Sequence, residues 1–169
     1  NASYRKTLKE ATGDDKKIPV FVLATIWISC AVLYTAQVSP MLFNYYNGDV
    51  NFIVTLVGIG ISVLGLILES VADHQKSAQK KENPNMVATK GLYRIVRCPN
   101  YLGEIAMWWG IGGYAVVLMP NVWYLLVGAL LNTVLFLVVS IPMADKRQSK
   151  KEGFSEYKKQ TRMLFPIKK

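Results

Sequence analysis

VNFIVTLVGIGISVLGLILESVA, residues 50–72, decides the fold of this chain. From Phe52 to Leu68 it holds only apolar residues, glycines and the two hydroxyls of Thr55 and Ser62. It shows neither the alternation of a half-buried strand nor the one-sided stripe of a soluble helix. Gly58, Gly60 and Gly65 would weaken a helix in water, whereas in a membrane they let helices approach closely.

Residues 18–43, 101–119 and 122–144 are blocks of the same kind, so the four blocks run 19 to 26 residues each. At about 1.5 Å per residue such helices reach roughly 28 to 39 Å, enough to cross a hydrocarbon core of about 30 Å. Charge sorts in register with the blocks. Of the 20 Lys and Arg, five precede Ile18, six lie between Asp73 and Asn100, and nine follow Ala144. The loops at 44–49 and 120–121 carry none. Four spans put all three basic segments on one side, which the positive-inside rule makes the cytosolic side. The expected fold is an all-α polytopic membrane bundle of four transmembrane helices, one membrane domain over residues 1–169. A bacterial inner membrane, the endoplasmic reticulum and an organelle membrane all satisfy this pattern.

The net charge of +9 then forms a basic face suited to anionic lipid headgroups or a phosphorylated cofactor, with no call for nucleic acid. Cys30 falls within a span and Cys98 at the basic interface, so no disulfide framework is expected. His74 is the single histidine, which sets aside a histidine metal cluster or triad. Residues 1–17 are polar and are not a signal peptide. The chain opens on Asn1 rather than Met, and the expectation is that further N-terminal helices precede it.

The candidate site lies in GLYRIVRCPNYLGE, residues 91–104. Arg94 and Arg97 are three apart and would share a face on a helical turn. Pro99 interrupts the backbone, and Glu104 sits just inside the next apolar block, where a carboxylate is costly without a partner. A cation pair at the interface with a carboxylate slightly deeper suits an anionic cofactor that is polar at both ends. The plainer reading is that the arginines anchor a helix end or meet lipid phosphates. Before this stretch Glu69, Asp73, Lys76 and Lys80 follow one helix face, and Asn83-Pro84-Asn85 ends that helix. Pro142 is expected to kink or end the last span, and the basic tail with Phe154, Tyr157, Leu164 and Phe165 to form an amphipathic surface helix. Trp108, Trp109, Asn132 and Thr133 read as helix-packing residues. No phosphate-binding glycine loop of a soluble nucleotide fold is present, so a cofactor would bind between helices.

ESVADHQ, GLYRIVRCPNYLGEIAMWWG, SIPMADKR and FSEYKKQTRMLFPIKK together resemble the C-terminal half of the steroid 5-alpha-reductase family, in its microbial membrane branch. The likeness runs from about Val50 to Lys169 and is looser before that. It implies an NADPH-dependent reductase of a carbon–carbon double bond conjugated to a ketone in a steroid or other lipid. Residue by residue it implies cofactor contacts at Asp73, Lys80, Asn100, Glu104, Arg147 and Tyr157; Arg94 and Arg97 join them on charge and position. Arginine's planar fork suits phosphate, and Asn100 can both donate to and accept from a carboxamide. Glu69 stands where the family has an asparagine-like contact. The family's ketone-polarising Glu and Tyr come from N-terminal helices that this sequence does not show, so the catalytic residues and proton donor stay unassigned.

Isoprenylcysteine and lipid methyltransferases that use S-adenosylmethionine are similar in topology and in the Arg-x-Pro-x-Tyr turn. They have His before the proline, where this chain has Cys98, and paired glutamates where it has Asp145-Lys146-Arg147. Bases in place of acids favour a phosphate-rich ligand over a sulfonium. A third reading is a non-catalytic, lipid-binding subunit of a larger membrane assembly.

Overall fold

The computed structural model describes residues 20–47 and 51–165. Residues 1–19, 48–50 and 166–169 lie outside them. Among the described residues the elements are all helices or helical turns, with one isolated parallel bridge between Val96 and Arg162. In order they form α1 (Val20–Asn47), α2 (Phe52–Glu82), a 3-10 turn (Gly91–Arg94), α3 (Pro99–Leu118), a second 3-10 turn (Pro120–Leu126), α4 (Val127–Leu135), a π turn (Phe136–Ser140), α5 (Ile141–Gln148) and α6 (Phe154–Gln160).

The chain divides into two compact units after Tyr34. In the first, the described stretch of α1 is exposed almost throughout, and its hydroxyls turn back on the helix: Thr25 Oγ1 donates to Phe21 O and Ser29 Oγ to Thr25 O. In the second unit, α2 and α3 form the tightest crossing. Gly58, Ser62 and Gly65 on α2 meet Tyr114, Gly110 and Gly103 on α3. A Cβ added at Gly103 would stand 2.6 Å from both Glu69 N and Gly65 O, so the two backbones nearly touch. Ser62 Oγ spans the crossing to Met107 O at 3.1 Å. Small residues at helical spacing thus do in α2 what its glycines predict.

Asn51 starts α2 by accepting at Oδ1 from Ile53 N and Val54 N. Asn83, in an extended conformation ahead of Pro84, ends it. Trp109 Nε1 donates to Thr133 Oγ1 at 2.9 Å and ties α3 to α4. Pro142 does not end the last helix. It has no N–H for the Val138 carbonyl and would crowd it; the chain widens into the π turn, where Ile141 N bonds Phe136 O, and helix resumes to Gln148.

Among the described residues three helices are long and apolar enough to cross a membrane: Val20–Asn47, Phe52–Glu82 and Pro120–Gln148. Their outward side chains, such as Leu64, Ile67 and Val138, are exposed apolar surface of the kind that lipid covers. The expected span at 101–119 is present as one 20-residue helix, α3, but is not among the three. It carries Asn100, Glu104 and four glycines among its apolar residues. The second and third basic segments meet at one end of the bundle, where Lys151 Nζ donates to Pro84 O and Met86 O.

Candidate functional site at the basic end of the bundle

Two glutamines of α2 splint the chain that returns toward α3. Gln79 Oε1 accepts from Thr89 N and Lys90 N, and Gln75 Oε1 accepts from Leu92 N. Gly91, with φ of 68°, makes the turn; a Cβ there would collide with the Gln75 amide. The chain then passes Tyr93, Arg97 and Cys98 into the first turn of α3. Facing them are α5, which brings Ala144, Asp145 and Gln148, and α6, which brings Phe154 and Tyr157.

These segments enclose a cavity of about 40 Å³, also lined by Lys76, Val87, Asn100 and Tyr101. Three buried polar atoms of its lining residues have no protein partner: Tyr93 Oη, Arg97 Nε and Gln148 Oε1. A buried polar group without a partner costs about 1–3 kcal/mol. Several in one cavity mark a place built for a polar occupant. The Tyr157 hydroxyl donates to Tyr93 O at 2.6 Å. Arg97 Nη1 donates to Thr161 O at 2.8 Å, and Nη2 to Asp145 Oδ2 at 3.3 Å.

Residues 2–161 match the family described as protein of unknown function (DUF1295). The chain belongs to that family. A 55-residue stretch is 36% identical to the uncharacterized protein C7D4.09c of Schizosaccharomyces pombe, covering 32% of this chain and 20% of that protein. The match therefore spans a fifth of that relative's length. No solved structure matches.

Of the eight residues expected at a site, this DUF1295 chain brings Arg97, Asn100 and Tyr157 to the cavity. Asp73, Lys80 and Arg147 are exposed, within electrostatic range of Lys76 in its wall. Glu104 is half-buried one turn further along α3, in the field of Glu69 and Asp73. Arg94 is exposed and is not among the lining residues. The expectation that Arg94 and Arg97 share a face is corrected. The 3-10 turn ends at Arg94, and Arg97 lies beyond it, where its backbone N–H pairs with Arg162 O at 2.8 Å. The tail is corrected too. Its helix is not a free amphipathic surface element, because Phe154 and Tyr157 are buried within the protein. Tyr93 and Gln148 were not foreseen. The one signal for Gln148 is its place three residues after Asp145, on the same helix face.

Burial shapes the titration of this end. It pushes the Cys98 thiol up to about 11, with the Asp145 carboxylate adding to the effect. It raises Tyr93 well above the ordinary tyrosine value, aided by Asp73. Tyr157 is pushed up to about 12, again chiefly by burial. At neutral pH all three are therefore uncharged hydrogen-bonding groups.

Proposed function

We propose that this chain is the cofactor-binding part of an integral-membrane, NADPH-dependent reductase that acts on a conjugated double bond in a steroid or other lipid. The observation that carries this reading is the ring of unpartnered Tyr93 Oη, Arg97 Nε and Gln148 Oε1 around one cavity at the basic end. The likeness of four motifs to the steroid 5-alpha-reductase family supports it.

The residues suit the cofactor. NADPH is a polyanion with a neutral carboxamide, and this end of the bundle offers both cations and amides. Exposed Lys80, Arg94 and Arg147 would hold phosphates, arginine by paired hydrogen bonds. Asn100 and Gln148 can each donate and accept, as a carboxamide requires. Tyr93, kept neutral by burial, donates without bringing charge. Val87, Ala88 and Phe154 supply the apolar part of the wall. When bound, the cofactor supplies the hydride; the protein's part is to orient it and exclude water.

Binding is tested by thermal stability of the detergent-purified protein with NADPH, NADH or S-adenosylmethionine, since a ligand that binds only the folded state raises its stability. A selective rise with NADPH, lost in Arg147→Glu and Asn100→Ala, is the expected result. A rise with S-adenosylmethionine alone would replace this reading with a methyltransferase. No rise with any of the three, in folded protein, would favour a non-catalytic subunit.

A further inference from the structure

The cavity is closed by the end of the chain. Phe154 and Tyr157 of α6 form part of its wall, and the segment after α6 lies along the turn that leads into α3. Arg97 N donates to Arg162 O at 2.8 Å and Cys98 N to Met163 O at 3.1 Å, a short parallel pairing. Leu164 is buried against Cys98, Phe136 and Ile141. Asp145 Oδ2 sits at the junction, 3.3 Å from Arg97 Nη2 and 3.0 Å from Lys158 Nζ. One carboxylate thus joins three segments: the turn before α3, its own helix α5, and α6.

We propose that residues 154–165 form a strap over the cavity, that the strap opens to admit a ligand, and that Asp145 is its latch. Size gives the reason. The space of about 40 Å³ holds no more than a few waters, yet residues on two segments of its lining carry unpartnered groups, Tyr93 and Arg97 on the link into α3 and Gln148 on α5. Any larger ligand reaches those groups only if one wall moves. The walls from α2 and α3 belong to long helices, α5 continues the helix that starts at Val127, and the 87–98 link is splinted to α2 by Gln75 and Gln79. The strap is one short helix and a few residues beyond it, held by four buried side chains, Phe154, Tyr157, Thr161 and Leu164, and by polar links. Segments of this kind open locally at less cost than the whole fold. When the strap lifts, Lys158 leaves Asp145, and Arg97, which the same carboxylate holds in place, loses Thr161 O, so the carboxylate sets the opening equilibrium.

The idea does not rest on the reductase reading and can be tested without a cofactor. Cys98 lines the cavity, is 6% exposed and lies beneath the strap. Cys30 and Cys98 are the two cysteines of the chain, so Cys30→Ser leaves Cys98 as the reporter. Burial holds its thiol protonated at neutral pH, so a maleimide labels it slowly until the strap lifts.

N-ethylmaleimide labelling of the full chain in detergent, run beside its thermal midpoint, gives the answer. Asp145→Asn should speed Cys98 labelling about tenfold with little change in midpoint, while Asp145→Glu, which keeps the charge, stays near the starting rate. Lys158→Gln, at a half-exposed partner, should give about twofold. Labelling of Asp145→Asn at the starting rate, or faster only in step with lost global stability, overturns the proposal. If Asp145→Asn fails to fold, an unchanged rate in Lys158→Gln overturns it equally. Failure of the strap and failure of NADPH binding are distinguishable, because the first is read from the Cys98 labelling rate without ligand and the second from the rise in midpoint with ligand.

Discussion

Gly103→Ala should loosen the whole bundle, and the structure fixes by how much. The new methyl would stand 2.6 Å from Glu69 N and 2.6 Å from Gly65 O, both backbone atoms of α2 that cannot rotate aside. Ordinary contact begins near 3.4 Å, so α2 and α3 must part by roughly 0.8 Å at this level. That separation would stretch the Ser62 Oγ to Met107 O bond beyond its present 3.1 Å and out of hydrogen-bond range. Overpacking costs about 1–3 kcal/mol, and an interhelical hydrogen bond in a membrane about 0.6 kcal/mol. A total near 3 kcal/mol corresponds to a midpoint lower by about 6–12 °C for a chain of this size. The assay is thermal unfolding in detergent with Gly60→Ala as the control, because a methyl at Gly60 meets nothing within 4 Å. Gly60→Ala should leave the midpoint unchanged or raise it, since alanine is the better helix former. If Gly103→Ala melts within a degree or two of the starting protein, or Gly60→Ala falls as far, the close crossing is not what holds these helices together.

Stability should fall in alkali. Cys98 rises from 9.0 to about 11 and Tyr157 from 10.0 to about 12 on folding. Both raised values mean that the folded state holds its protons longer, so stability is whole below pH 9 and is lost from pH 9 to 12. The slope is up to about 1.4 kcal/mol per pH unit for each group. Cys98→Ala should flatten the lower part of that window and Tyr157→Phe the upper part; unchanged slopes in both variants would refute the assignment. Tyr157→Phe should also lower stability at neutral pH by about 1 kcal/mol through the lost bond to Tyr93 O. The Trp109–Thr133 bond should couple by about 0.6 kcal/mol in a double-mutant cycle of Trp109→Phe with Thr133→Val; additive effects would mean the bond contributes nothing.

Helix identity was legible in the sequence because it follows from local composition. The run at 52–68 can be little else, and Asn83-Pro84 stops it where it should. The small residues of α2 announced a close crossing, although not the partner face on α3. The basic end was legible as charge but not as arrangement. Arg94 and Arg97 carry the same side chain three residues apart, yet one is exposed and the other sits 10% exposed beside Asp145. What separates them is pairing with residues 161–163, some 65 positions along the chain, and no local pattern encodes a contact at that range. Tyr93 and Gln148 were missed for the same reason. Their lack of partners becomes visible only once α5 and α6 fold back over the turn.

The discrepancy in span count points the same way. Hydropathy flags a helix by the average of its side chains, but a site needs side chains that lower the average. α3 carries Asn100 and Glu104 among apolar residues and Gly103 and Gly110 for close approach, and it is the expected span that is not among the three. A helix of this composition is stable at membrane depth only where other helices satisfy its polar groups and cover its glycines. α2 covers the glycines along one face, through Ser62, Gly65 and the Glu69 backbone. Failing the hydropathy test therefore does not count against α3 as part of the membrane bundle. It is the signature expected of the helix that brings a polar site to an apolar scaffold.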